Sequence, residues 1–308
     1  MGRLRDGVFG AFAARYNEAM LFESVAITVY ILVVAALLGL VVGSFINCWA
    51  WRSLRGESVV RGRSHCATCN HELAARDLIP LVSWLASHGC CRYCGQKVSV
   101  RYPLTELVCA LAFVGIVACY GLSLETIELL LFAAILLFLS LTDLDAYLIP
   151  NGCIVAAIVV RALYLAGAWA IGGTDIMPLL ISSLIGGAVL GGALLIVTLI
   201  GDKVLDRPTM GGGDIKLFFV AGLYFGWQQG LFLIIVACII GILVSLLTPR
   251  GAVAAYDAIA GEVPDEDVIP ESTLKRTIPF GPSIAAACII TMLAGQPFIA
   301  WYLGLLGL

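Results

Sequence analysis

Three aspartates stand against long apolar runs, where an ionisable side chain is costly to keep and by default marks a functional site. Asp143 and Asp145 close one run in Leu141-Thr142-Asp143-Leu144-Asp145-Ala146, and Asp214 opens another in Gly211-Gly212-Gly213-Asp214-Ile215-Lys216. Two carboxylates that share a water work as an acid/base pair, because like charges at close range keep one member protonated while the other is ionised. The ionised member activates the water, and its partner protonates or polarises a scissile carbonyl. Such a pair titrates as a unit. The glycines ahead of Asp214, Gly211 and Gly213 among them, remove side-chain bulk and let an extended backbone approach the acid. Taken singly, each acid is equally a helix-terminal residue: Asp214 suits the positive end of a helix and Asp143 suits loop water. Together with their neighbours they favour chemistry. Asp175, Asp202 and Asp206 fall in loops and read as solvated.

A second constellation is made of thiols. Cys66-Ala67-Thr68-Cys69 and Cys91-Arg92-Tyr93-Cys94 form two CxxC pairs with 21 residues between them, close to the spacing of a zinc ribbon. Cys66, Cys69, Cys91 and Cys94 are the expected ligands of one structural zinc ion. Four thiolates leave no open position for water, so this metal holds a fold and does not catalyse. Cys90 is a substitute ligand by position, and His65, His71 and His88 read as surface residues. The remaining cysteines sit singly in apolar runs as small packing groups.

The elements that must position these groups are membrane spans. The chain of 308 residues is 61% hydrophobic and 13% charged, which excludes an ordinary soluble enzyme. A net charge of −3 gives no basic field for a nucleic-acid partner. A bilayer core needs about 20 apolar residues of helix, and eight runs offer them, near 25–46, 103–121, 125–142, 150–171, 178–200, 214–226, 229–248 and 280–305. Glycine pairs in the fifth run, at 186–187 and 191–192, read as close-packing positions. Thirteen Lys and Arg residues fall in the loops 47–102, 143–149, 201–213 and 249–279, and none in the opposite loops. The positive-inside rule then places those loops, and the three aspartates, at the cytoplasmic face, with Arg3, Arg5 and Arg15 in the amino-terminal tail as a small counter-signal. No cleavable secretory signal is visible, and the first run reads as a retained span.

Four patches in one order carry a resemblance. They are Gly43-Ser44-Phe45-Ile46-Asn47 followed by Arg52; the double CxxC segment with Asp77-Leu78-Ile79-Pro80 and Ser83-Trp84-Leu85, continuing into Arg101-Tyr102-Pro103-Leu104-Thr105-Glu106-Leu107; Asp143 through Pro150-Asn151; and Gly211-Gly212-Gly213-Asp214 with Lys216. Pro279-Phe280-Gly281-Pro282 extends it. On these residues the chain resembles the prepilin peptidase family, the type IV prepilin leader peptidases of the GxGD aspartic protease group. The resemblance implies that Asp143 and Asp214 are the catalytic pair, with Asp145, Gly211, Gly213 and Lys216 as auxiliaries. It also implies cleavage of a short basic leader from prepilin or pseudopilin precursors at the cytoplasmic face of a bacterial inner membrane. Bifunctional members methylate the new amino terminus from S-adenosylmethionine, an activity associated with the cytosolic domain. Gly43, Asn47 and Glu106 are the candidates for that site, since no glycine-rich nucleotide loop on a Rossmann strand is present. The segment 248–278 departs from the family by its length and acidity (Glu262, Asp265, Glu266, Asp267, Glu271) and reads first as a solvated loop.

The expected architecture is an all-α integral membrane protein of about eight transmembrane helices with a small cytosolic zinc-binding domain between the first and second. Its parts are residues 1–46, a tail and first span; 47–102, the four-cysteine domain; and 103–308, the membrane peptidase domain with the acidic loop. Within the enzyme class the alternative is a peptidase without methyltransferase activity. Outside it stand a proton-coupled transporter, since pumps also place Asp in their spans, and a scaffold displaying a zinc module.

Overall fold

The computed structural model describes residues 24–171, 176–206, 209–247 and 279–305. The acidic segment 248–278 therefore lies outside the described residues, as do Asp175 and the amino-terminal arginines. Among the described residues, seven helices are long and apolar enough to cross a membrane. They are α1 (Val25–Leu54), α2 (Arg101–Tyr120), α3 (Leu124–Ala146), α4 (Asn151–Ala170), α5 (Ile176–Leu205), α6 (Gly212–Leu247) and α7 (Gly281–Leu305). No strand occurs among the described residues, as expected for a chain whose backbone polar groups must be satisfied within each crossing segment.

Local signals set the helix ends. Ser24 and Ser123 cap α1 and α3 by accepting from the amides of Ile27 and Thr126. Pro150 precedes α4, and Tyr147, in the left-handed conformation, closes α3 through its amide to the Asp143 carbonyl. α1 continues two turns beyond the expected edge at residue 46, and α3 runs through Asp143 and Asp145 before it stops. The carboxylates are thus held on a rigid helix end.

α6 accounts for the sixth and seventh apolar runs together. Its 36 residues are interrupted at Gly226, whose φ of 67° and ψ of −178° are not helical; the left-handed φ is one that glycine adopts without strain. The Phe280 ring lies 6.3 Å from the Phe218 ring and 2.6 Å from where a Cβ on Gly241 would stand. A straight helix would separate residues 218 and 241 by about 34 Å. α6 is therefore a hairpin of two antiparallel arms, and the described chain makes eight passes.

Small residues let the helices meet. A Cβ on Gly43 would lie 2.9 Å from the Glu106 Cα, and one on Gly39 would lie 2.6 Å from the Ala110 Cα, so α1 and α2 approach backbone to backbone. Gly186 of α5 does the same against Gly222 of α6, Gly187 and Gly191 make room for the side chains of Leu223 and Phe219, and Gly192 faces nothing. The buried centre is built by Phe132 and Leu136 of α3, Leu217 and Phe218 of α6, and Ile284 and Cys288 of α7. Near the end of the bundle away from the aspartates, Arg161 of α4 is buried against Glu128 of α3 at 3.0 Å and Ser183 of α5 at 2.7 Å. That cluster ties three helices together.

Candidate active site

Asp143 is 6% exposed in the last turn of α3. Its Oδ2 accepts a hydrogen bond of 2.8 Å from the main-chain amide of Gly281, at the start of α7. A Cβ on Gly281 would lie 2.6 Å from that same oxygen, so only glycine admits this approach. Asp214 occupies the first turn of α6, and Asp143 is close enough for its charge to act directly on it. Phe280, next to Gly281, packs against Phe218, one turn beyond Asp214. Three helices thus bring two carboxylates and one amide to a single end of the bundle.

The auxiliary residues divide by what they touch. A Cβ on Gly213 would stand 3.0 Å from Ile149 Cβ, so its lack of a side chain lets the start of α6 close on the α3–α4 turn. A Cβ on Gly211 would stand 3.2 Å from Asp214 Oδ2, which keeps that face of the carboxylate open. Lys216 Nζ donates to Asn151 Oδ1 at 2.8 Å and ties α6 to α4. Asp145 is gripped by the guanidinium of Arg101, through Nη1 to Oδ1 and through Nη2 to Oδ2 at 2.7 Å.

Residues 55–100 join α1 to α2 and hold the cysteines. The Sγ atoms of Cys66, Cys69, Cys91 and Cys94 all lie within 4.8 Å of one another, with 3.9 Å between Cys66 and Cys94. A tetrahedral ion with metal–sulfur bonds of 2.3 Å requires about 3.8 Å between sulfurs, so the donor set fits one such ion. Cys90 and the three histidines stand outside the cluster. The two halves are built alike. Cys66 N donates to His71 O and Asn70 N to Cys66 O, just as Cys91 N donates to Gln96 O and Gly95 N to Cys91 O. Asn70 and Gly95 hold the matching positive φ values of 55° and 73°. The amide of Cys69, ahead of the opposing effect of burial, draws the Cys66 thiol down, while at Cys94 the Gln96 amide is outweighed by burial and the neighbouring thiols, which push that thiol up, as close thiols do when they cannot all ionise without a cation among them.

Between this segment and the ends of α1 and α2 lies a cavity of about 520 Å³. Asn47 and Glu106 line it. Asn47 Nδ2 donates to the Tyr102 carbonyl at 3.2 Å, and Glu106 Oε2 accepts from the Leu81 amide at 2.6 Å. Leu81 has a φ of 60°, so Glu106 pins a strained turn of the cysteine-rich segment onto α2. Gly43 sits one turn deeper, in the α1–α2 contact.

Residues 130–246 match the type IV leader peptidase family, and residues 37–120 match the bacterial peptidase A24 N-terminal domain. The chain is 34% identical over 234 residues to a prepilin leader peptidase/N-methyltransferase of Myxococcus xanthus, covering 74% of this chain and 68% of the relative. Proteins of the same name from Pseudomonas putida and Bacillus subtilis are 31% and 30% identical over 307 and 265 residues, spanning 90% and 86% of this chain and 96% and 95% of theirs. The chain belongs to the type IV leader peptidase family. No solved structure matches it. Membership leaves the transporter reading without support.

In this leader peptidase, sequence reasoning misses three groups. The Gly281 amide is a main-chain donor and carries no side-chain signature; the Pro279-Phe280-Gly281-Pro282 string is its only trace. The Arg101–Asp145 pair joins positions on different helices, which no local pattern reveals. Glu128 and Arg161 lie inside apolar runs, and the rule that singles out Asp143 applies to them equally.

Proposed function

We propose that this chain is a prepilin leader peptidase and N-methyltransferase in which Asp143 and Asp214 form the aspartyl dyad. The observation that supports the reading best is the convergence of Asp143, Asp214 and the Gly281 amide at one end of the helix bundle. One carboxylate, ionised, takes a proton from a water held between the two. The water oxygen attacks the scissile carbonyl carbon, and the other carboxyl gives its proton to the carbonyl oxygen. The tetrahedral species collapses as the C–N bond breaks and the leaving amine is protonated. The Gly281 amide fixes the orientation of Asp143, and the side-chain-free stretch Gly211 to Gly213 gives an extended substrate access to Asp214. Asp145 and Lys216 hold the frame through Arg101 and Asn151.

The excess of Lys and Arg in the loops at this end of the bundle supports a position at the cytoplasmic face of the inner membrane. The substrates are prepilin or pseudopilin precursors. Zinc on Cys66, Cys69, Cys91 and Cys94 stabilises the cytosolic segment. S-adenosylmethionine supplies the methyl group for the new amino terminus.

The test is cleavage of a reconstituted prepilin by the wild type, Asp143→Asn and Asp214→Asn, followed by mass analysis of the product. Each substitution lowers cleavage by at least about a hundredfold, the scale of acid/base catalysis, with zinc content and thermal unfolding unchanged. Undiminished cleavage by either variant refutes the dyad. A product without the added methyl leaves a peptidase alone.

A further inference from the structure

Four helices meet in a buried polar cluster that the cleavage mechanism does not use. Arg161 of α4 is 7% exposed and Glu128 of α3 is 3% exposed. Arg161 Nη1 donates to Glu128 Oε1 at 3.0 Å and to Oε2 at 3.2 Å, and Nη2 donates to Ser183 Oγ of α5 at 2.7 Å. Its Nε is buried and has no hydrogen-bond partner. The fourth helix is α6. The Tyr224 ring stacks on Phe132 of α3 at 3.8 Å, the Arg161 guanidinium carbon lies 5.5 Å from that ring, and the Tyr224 hydroxyl donates to the Ala157 carbonyl of α4 at 2.7 Å. An ion pair inside a membrane bundle is costly to keep, and apolar residues of similar volume often serve stability as well. Fixing the register of packed helices is the best-attested use of such a group.

The element whose register matters is the first arm of α6, residues 212–225, which carries Asp214 in its first turn. Leu217, Val220 and Ala221 bury it among apolar side chains, and Gly222 meets Gly186 of α5 backbone to backbone. Lipid tails are as apolar as those side chains, so directional bonds are what distinguish one depth of the arm from another. Two such bonds run to α4. Lys216 Nζ donates to Asn151 Oδ1 at 2.8 Å, but both side chains are exposed and water competes for them. The Tyr224 hydroxyl lies about 15 Å along the arm from Asp214, and its acceptor Ala157 is 2% exposed. The cluster seats that hydroxyl, because Arg161 follows Ala157 by one turn of α4. Ser182, next to Ser183, also closes on the turn that ends the arm: its Oγ stands 2.9 Å from where a Cβ on Gly226 would lie.

We propose that Tyr224, held by Arg161 and Glu128, is a positioning residue for the peptidase: it fixes the depth at which the first arm of α6 presents Asp214 to Asp143. The assignment rests on the aspartyl dyad proposed above. Without the hydroxyl the arm is free to shift along its axis. One residue of helical rise, about 1.5 Å, exceeds the misplacement of about 1 Å that costs on the order of a hundredfold in rate.

The experiment measures kcat, KM and the pH profile of kcat on a reconstituted prepilin, for Tyr224→Phe and for the double variant Arg161→Met with Glu128→Gln, beside thermal unfolding in the same detergent. Tyr224→Phe keeps the ring, and Ala157 lies inside α4, where its carbonyl keeps its helical bond, so the change leaves no buried group unpaired. In both variants kcat falls by about tenfold or more, while KM and the folded fraction stay near those of the wild type. The pH profile also changes shape, because the limbs of a coupled pair depend on the separation of its two carboxylates; Arg101, Asp145 and Lys216, the charged side chains beside them, are unaltered. A purely structural loss scales the whole profile down without reshaping it, and that result overturns the assignment. Wild-type turnover with an unaltered profile in either folded variant overturns it too; should Tyr224→Phe misfold, the double variant decides. Undiminished cleavage by Asp214→Asn refutes the dyad and takes the assignment with it, whereas loss in Asp214→Asn beside full cleavage by Tyr224→Phe refutes the register role alone.

Discussion

The guanidinium of Arg101 closes on Asp145 with both terminal nitrogens, and its Nη2 also reaches the Leu141 carbonyl at 3.4 Å. Arg101 opens α2 directly after the cysteine-rich segment, and Asp145 stands two residues beyond Asp143 on α3. The third acid of the sequence is thus a clamp between the two halves of the protein. A bidentate fork has a geometry that an ammonium cannot reproduce. Arg101→Lys and Asp145→Asn should each lower leader cleavage at least tenfold while leaving some turnover, in contrast to Asp143→Asn. Initial rates on a reconstituted prepilin, compared across the variants, check this ordering.

Gly281→Ala separates activity from stability. The added Cβ would meet Asp143 Oδ2 at 2.6 Å and Asp143 Cβ at 3.2 Å, so the buried carboxylate must shift, at about the 1–3 kcal/mol cost of overpacking, and the unfolding temperature should fall only modestly. The displaced carboxylate no longer lines up with Asp214, and a misplacement of about 1 Å costs on the order of a hundredfold in rate. Cleavage assays beside thermal melts in the same detergent read both effects.

Metal analysis should find one zinc per chain. Cys69→Ser or Cys94→Ser removes a ligand, so zinc content falls and the segment 55–100 becomes sensitive to protease. Cys90→Ser, although adjacent to a ligand, retains full zinc, because its sulfur lies outside the cluster. A strong chelator applied to the wild type should reproduce the protease sensitivity of the ligand variants.

The Arg161–Glu128 pair predicts a non-additive stability effect. Their side chains are 9% and 2% exposed, and removing one partner of such a pair leaves a buried charge at a cost of about 3–5 kcal/mol. Arg161→Met alone should therefore be strongly destabilising, and Glu128→Gln in the same chain should restore much of the loss. Unfolding temperatures of the two single variants and the double variant complete the cycle.

Much of this organisation is legible in the sequence because membrane insertion makes composition informative. The apolar runs give the passes, an acid against such a run is conspicuous, and a doubled CxxC has few other uses. The edges are less legible. α1 runs to Leu54 because its polar last turns continue the same helix into the cavity wall, which a hydropathy argument stops short of. Contacts between distant positions, such as Arg101 with Asp145 or the Gly281 amide with Asp143, depend on how helices pack against one another. The short arm Gly212 to Phe225 reads as a separate span in the sequence, and the turn at Gly226 shows why.

That turn also sets the parity of the chain. A continuous helix of 36 residues would extend about 54 Å, well past a hydrocarbon core of about 30 Å, and would deliver the chain to the face opposite Asp214. α7 would then run in the reverse direction, and Gly281 would begin on the wrong side of the bilayer to reach Asp143. A single backbone torsion, far along α6 from both carboxylates, thus determines which face of the membrane receives the amide that completes the dyad.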